Sequence, residues 1–240
     1  SEGSDVAVTA TARVTPGPPL CVVVLEPSTD RALALQDGAR LSAKKCAVVS
    51  NSTAPRGMSV VEQAQMTSVF SCSAGGVEGA PGNYRPSPVS DCPAVEDPLP
   101  QRTPPPVSAG CSETNREVGL GVAILKPGTY CGGLKIRTGA VVTLLPGIYV
   151  MKDGPLEVDD LGIMIGLNVG FYLKGDAATL RFSPLSTITL TAPKQGALAG
   201  FLVFEDRAVT ALRDHRISSN TAKILLGTIY LPRGRLIVDT

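Results

Sequence analysis

The sequence has no tryptophan, a single histidine, and only 4% aromatic and 18% charged residues among its 240 positions. The charged share falls below the ~25% usual for globular proteins, and the formal net charge is only +1. These shortages exclude a highly charged disordered chain, a coiled coil and a strongly electrostatic nucleic-acid binder. No apolar run approaches the ~18 residues that a membrane-spanning helix requires. No two cysteines form a C-x-x-C pair, and His215 lies far from all of them. A structural zinc site needs ligands paired at short spacing, so neither a metal nor a cofactor is expected. What is abundant is glycine (25) and proline (20), together about 19% of the chain. That exceeds the ~12% of average proteins yet stays below the ~25–30% of low-complexity disorder. With 43% hydrophobic residues, the chain reads as a compact, turn-punctuated globular protein, long enough for one large all-β domain or two small ones.

The six cysteines, Cys21, Cys46, Cys72, Cys92, Cys111 and Cys131, all lie in the first 131 residues. An even number of well-separated cysteines points to three disulfides formed in an oxidising compartment, against the alternative of six reduced thiols in the cytosol. No signal peptide is visible, and Ser1 is expected to follow a processed or trimmed segment.

Residues 1–19, ending in Thr-Pro-Gly-Pro-Pro, read as a flexible tail. From residue 20 to 240 a single domain is expected. Short β-branched or aromatic runs alternate there with Gly, Asn, Asp or Pro, which argues strand rather than helix. The clearest are Cys21–Leu25, Cys46–Val49, Val141–Leu145, Ile148–Met151, Val169–Leu173, Thr187–Thr191, Phe201–Phe204 and Thr228–Leu231. Between Met58 and Phe70 helix and strand compete evenly. Residues 75–110 carry nine prolines, from Pro81 to Pro106, and leave little room for ladder hydrogen bonds. They form an extended connection. Cysteines within and around it suggest a tract strapped onto the fold.

The second half holds an irregular repeat. Lys126-Pro-Gly-Thr-Tyr130 recurs as Leu145-Pro-Gly-Ile-Tyr149 and loosely as Asn168-Val-Gly-Phe-Tyr172. The aromatic positions 130, 149, 172, 204 and 230 step by 19, 23, 32 and 26, and Cys21, Cys46 and Cys72 step by 25 and 26. Repeats of this length, holding two or three short strands, predict a single-stranded right-handed parallel β-helix, in which stacked coils bury ladders of like residues. Stacked strands lie about 4.8 Å apart, within disulfide reach for side chains that point the same way. Cys21–Cys46, Cys72–Cys92 and Cys111–Cys131 are the expected rungs, one of the 15 pairings that six cysteines allow. A two-sheet sandwich is the rival fold, but its turns give no reason for one Pro-Gly-x-Tyr motif at coil spacing.

The segment Leu125-Lys-Pro-Gly-Thr-Tyr-Cys-Gly-Gly-Leu134 resembles an element of the TadE/TadG-like proteins of bacterial tight-adherence (Flp) pilus assembly. The likeness continues through Leu145-Pro-Gly-Ile-Tyr149, Val169-Gly-Phe-Tyr-Leu-Lys-Gly175, Leu190-Thr-Ala-Pro193, Gly200-Phe-Leu-Val-Phe-Glu-Asp-Arg207 and Gly227-Thr-Ile-Tyr-Leu-Pro232. Upstream it takes in Glu96-Asp-Pro-Leu-Pro100 and the Cys21 and Cys46 strands. The resemblance implies an extracytoplasmic β-helical domain at the bacterial cell envelope, periplasmic and usually held to the inner membrane by one N-terminal anchor, which these 240 residues do not include. It further implies a non-enzymatic structural or adaptor role, with other pilus-assembly or envelope proteins as partners and no nucleic acid. The family offers no catalytic residue to transfer.

Candidate chemistry is sparse. His215, beside Asp214 and near Ser218 and Ser219, makes a poor Ser-His-Asp triad, because neighbours on a strand point to opposite faces; a solvated loop is the plainer expectation. Asp153 and Asp176 lie 23 residues apart, Glu157 and Asp159 share a strand face, and Arg207 and Arg233 lie 26 apart. One groove lined by such residues would suit a carbohydrate-active β-helix enzyme or a glycan-binding adhesin module. Glu205, Asp206 and Arg207 follow the Phe201–Phe204 strand directly, and serve either as a local ion pair closing a coil or as a partner-docking patch. Gly119-Leu-Gly121 lacks the third glycine of a dinucleotide fingerprint, and Asn51-Ser-Thr53 is a glycosylation sequon only in a eukaryotic secretory setting. Peptide mapping of the unreduced protein should recover Cys21–Cys46, Cys72–Cys92 and Cys111–Cys131 fragments. A Cys21–Cys111 fragment would overturn the stacked-coil reading.

Overall fold

The computed structural model describes residues 17–210 and 213–238, so the expected tail over 1–19 lies outside the described residues except for its last three. The described chain contains strands, one 3-10 turn at Pro81–Asn83 and no α-helix. It falls into two compact units, Ser1–Pro98 and Leu99–Thr240, divided within the proline-rich tract. Both are parallel β-solenoids.

In the first unit, β1 (Leu20–Val24), β2 (Leu33–Leu35), β3 (Arg40–Ser50), β4 (Met58–Val60), β5 (Gln65–Ser73), β6 (Val77–Glu78) and β7 (Tyr84–Arg85) form two parallel sheets. Their orders are β1-β3-β5-β7 and β2-β4-β6. The ambiguous stretch from Met58 to Phe70 is therefore strand, turn and strand: Val60, Ala64 and Met66 pack with Val48 and Met58 in the core, and this tertiary burial overrides local propensity. Cys21–Cys46 ties β1 to β3 with Cα atoms 5.5 Å apart, and Cys72–Cys92 ties β5 to the proline-rich tract at 6.2 Å. That tract lies along β5, where Val89 N–H donates to Ser71 O and Cys92 N–H to Ser73 O. Farther along, Asn51 holds Val95 by its side chain: Nδ2 donates to Val95 O (2.7 Å) and Oδ1 accepts from Val95 N–H (2.8 Å). Asn51 is buried in this role, which leaves no room for a glycan.

In the second unit the coils run β8 (Glu113–Val118) and β9 (Gly121–Leu125), then β10 (Gly128–Ile136) and β11 (Ala140–Leu144). Next come β12 (Gly147–Lys152), β13 (Leu156–Val158) and β14 (Ile163–Gly166), followed by β15 (Val169–Lys174), β16 (Leu180–Phe182) and β17 (Thr187–Thr191). The stack ends with β18 (Phe201–Glu205), β19 (Arg213–Ile217) and β20 (Thr221–Leu226), then β21 (Thr228–Tyr230) and β22 (Gly234–Val238). Three faces result. The first stacks the start of β10 with β12, β15, β18 and β21; the second stacks its end with β13, β16, β19 and β22; the third is β9-β11-β14-β17-β20. Register puts like over like, as in Leu134–Leu156–Leu180 and Val142–Met164–Ile188. Cys111–Cys131 closes the start of this unit at a Cα distance of 5.7 Å. Each disulfide stabilises by about 3 kcal/mol through restriction of the unfolded chain.

The repeated Pro-Gly-x-Tyr has a local cause. The Tyr130 hydroxyl donates to Lys126 O (2.7 Å), and that of Tyr149 donates to Leu145 O (2.8 Å) and Leu125 O (2.9 Å), so each tyrosine caps the carbonyl before its own Pro-Gly. Gly147 has φ of 142°, and a Cβ there would strike the Pro127 ring of the coil below. The single aromatic ladder suggested by positions 130, 149, 172, 204 and 230 splits in two. Phe171, not Tyr172, shares the register position of Tyr149, so Tyr130, Tyr149 and Phe171 stack inward, with successive centroids 5.8 Å apart. Tyr172, Phe204 and Tyr230 stack on the outer side of the same face, at 6.1 and 4.9 Å.

Cys131-Gly-Gly133 is the corner inside β10 where the chain leaves the first face for the second. Gly132 and Gly133 have φ of 75° and 85°, and a Cβ on Gly133 would meet the backbone of Pro155 and Gly154. Left-handed backbone costs a non-glycine residue about 1–2 kcal/mol, and this collision adds to it. Gly133→Ala should therefore destabilise the protein by at least about 2 kcal/mol, seen as a lower urea midpoint with an unchanged slope.

Candidate functional site

Glu205, Asp206 and Arg207 do not act as one cluster. β18 carries them to the edge of the first face, and there the three side chains part. Asp206 makes an ion pair with Lys174 (3.6 Å) and accepts the Ala208 N–H (3.1 Å). Arg207 turns over the outer aromatic stack. Its guanidinium lies 5.2 Å from the Phe204 centroid and 5.1 Å from that of Tyr230, and Nε donates to the Tyr230 hydroxyl (3.0 Å). Nη1 and Nη2 donate to the carbonyls of Arg102 and Leu99 in the proline-rich tract. The expected ion pair of Arg207 with its two acidic neighbours is replaced by cation–π and carbonyl contacts, because the three side chains leave the chain in different directions.

Glu205 points into the solenoid and is 0% exposed, as is His215. The Arg213 guanidinium and His215 Nε2 (3.0 Å) both reach its Oε1, and the Arg233 N–H donates to Oε2 (2.8 Å). The Leu180 N–H donates to His215 Nδ1 (3.3 Å). Nδ1 is thus an acceptor, which leaves the proton of the neutral imidazole on Nε2, directed at Glu205. A Cβ on Gly234 would strike His215 and Glu205, so glycine at this position lets β22 close over the pair. Burial opposes ionisation of Glu205, but hydrogen bonds from His215, Arg213 and Arg233, with the Arg213 charge, prevail and hold its carboxyl below the usual value of 4.5.

His215 is therefore a buried strand residue, not part of a solvated loop. The sequence signal was the alternation Arg213-x-His215-x-Ile217, whose three members all face inward. Asp214 points the other way and pairs with Arg235 (2.9 Å), so it does not orient the imidazole. The Ser219 hydroxyl donates to Ser186 O (2.6 Å). These contacts make a structural lock rather than a triad.

Asp153 and Asp176 do line one surface cavity of about 300 Å³, together with Lys174 and Asp206. Asp176 accepts the Thr210 N–H (2.8 Å), which keeps its carboxyl below the ordinary range. Glu157 and Asp159 share a face as expected, but both lie against Arg137 (3.5 and 3.2 Å), which also binds Glu117 (2.9 Å). Arg233 reaches Glu205 through its backbone N–H. Among the described residues, no group of three or more His, Cys, Asp or Glu side chains is arranged to hold a metal ion. No protein-family model, curated protein or solved structure matches the chain.

Removing one partner of a buried charge pair costs about 3–5 kcal/mol, so Glu205→Gln should lower stability by that order at pH 7. A carboxylate whose pKa is lowered in the folded state stabilises above its unfolded value and loses that contribution as pH falls through the folded one. The advantage of the wild type over Glu205→Gln should therefore shrink below about pH 4.5, as read from urea midpoints at pH 7 and pH 3.

Proposed function

We propose that the chain is a non-enzymatic structural or adaptor module, acting outside the cytoplasm in the assembly of bacterial tight-adherence (Flp) pili. Three disulfides indicate an oxidising compartment, and no helix among the described residues is long and apolar enough to cross a membrane. Placement in the periplasm, beyond an inner-membrane anchor, belongs to the proposal. The family resemblance rests on Pro-Gly-x-Tyr, Cys-Gly-Gly and Glu-Asp-Arg, the blocks that set coil corners, the buried lock and the clamp on the proline-rich tract.

The observation that carries an assembly role is the surface at β9, an end strand of the third face. Leu120, Val122 and Ile124 are 88%, 80% and 66% exposed. A run of large apolar side chains at a sheet edge is a feature that monomeric proteins suppress and interaction surfaces use. Glu157, Asp159, Asp176, Glu205, Asp206 and Arg207, by contrast, are engaged within the chain itself.

Val122→Lys/Ile124→Lys should leave the fold and disulfides intact, because both side chains point to solvent. The same change should abolish crosslinking to envelope partners and reduce surface pili in the bacterium that makes the protein. Unchanged pili after deletion of the gene would overturn the proposal. So would turnover of an acidic polysaccharide that Asp176→Asn abolishes, which would favour a carbohydrate-active enzyme working from the Asp153–Asp176 cavity.

A further inference from the structure

The outer side of the second unit's first face is aromatic where solvent-facing strand positions are usually polar. Tyr172, Phe201, Phe204 and Tyr230 lie there with Val150 and Leu198, and all six are buried. Part of their cover is the chain's own segment Leu99–Val107, Leu-Pro-Gln-Arg-Thr-Pro-Pro-Pro-Val. Leu99 and Val107 pack on the aromatic cluster. Arg102 lies 4.9 Å from the Phe201 centroid and donates to the carbonyls of Ala197 (2.9 Å) and Ala199 (3.3 Å). The segment enters by a tight turn in which the Arg102 N–H donates to Leu99 O (3.0 Å). That turn presents the two carbonyls that Arg207 grips. Beyond it, Thr103–Ser108 joins no sheet, and Pro104 and Pro106 are exposed while Pro105 is buried.

This is the chemistry by which aromatic grooves hold proline-rich chains. Such grooves present aromatic side chains to an extended proline-rich segment; here Leu99 and Val107 pack on the aromatic floor, Arg102 lies over Phe201, and Arg207 donates to two carbonyls of the segment. A segment stiffened by four prolines loses little conformational entropy when it docks. We propose that this face is a recognition groove for an extended proline-rich, arginine-bearing polypeptide, that Leu99–Val107 occupies it in cis, and that a partner of the same chemistry binds by displacing that segment.

Recognition on this scheme reads an apolar residue, a proline, an arginine two residues on, and then prolines ending in an apolar residue. The tether keeps the cis segment at millimolar effective concentration, so a free peptide meets strong competition in the wild type. Loosening the cis segment should open the groove without altering its floor. The inference is independent of the pilus assignment and can fail separately from it.

The test uses the full chain and a fluorescent nine-residue peptide of the Leu99–Val107 sequence, with binding read by anisotropy. Arg102→Ser/Val107→Ser, checked for intact disulfides and unchanged circular dichroism, should bind the peptide at least tenfold more tightly than wild type. Adding Arg207→Ala to that variant should remove the gain, and a peptide with serine in place of its arginine should bind at least fivefold more weakly. If the double variant does not fold, Arg102→Ser alone should still give a gain of at least threefold. A loosened, folded chain that binds no better than wild type would falsify the proposal. Peptide binding insensitive to Arg207→Ala would do the same.

Discussion

Parallel stacking in register is the constraint on which the rest of the structure depends. Every coil lays its residues over their counterparts one strand spacing away, about 4.8 Å, so a side chain is judged by what lies above and below it. Leu134, Leu156 and Leu180 satisfy one another in this way, as do Tyr149 and Phe171. The low charge follows from the same constraint. Inward positions favour apolar side chains, and Glu205 is tolerated there because Arg213, His215 and Arg233 reach its carboxylate.

The solenoid was legible in the sequence because its signals are local and repeat. Pro-Gly-x-Tyr marks the corner that a tyrosine hydroxyl closes, cysteines at coil spacing mark rungs, and β-branched runs mark strands. The strand at Arg213–Ile217 was hidden because four of its five residues are charged or histidine, and composition alone reads such a run as solvated. Its inward members bond to Gly175, Leu180 and Glu205, partners 8 to 38 residues away. The candidate site was legible only in part. Glu205, Asp206 and Arg207 stand out in the sequence as a polar cluster after an aromatic strand, but strand alternation ends with β18, so their three directions depend on the fold. The role of Arg102 was invisible, because nothing in a proline-rich tract says which surface it will cover.

The proline-rich tract joins these themes. Its first half is held by a cystine, by parallel bonds along β5 and by Asn51; its second half is held by two arginines, aromatic rings and main-chain carbonyls. Proline cannot contribute N–H groups to a ladder, so in each half the fold supplies substitutes. In the first, an asparagine side chain stands in for a neighbouring strand. In the second, guanidinium groups bond carbonyls that no neighbouring strand serves.

The Asn51–Val95 pair also bears on how the protein ages. Asparagine followed by a small residue such as Ser52 is a site of slow deamidation. Conversion to aspartate would replace the Nδ2 donor with an oxygen and set a carboxylate against Val95 O. One latch of the tract would become a repulsion, without any cut in the chain. The burial that would make this change damaging also opposes it: both amide atoms are bonded and the side chain is shielded from water. The same contact therefore fastens the tract and slows the chemical clock that would unfasten it.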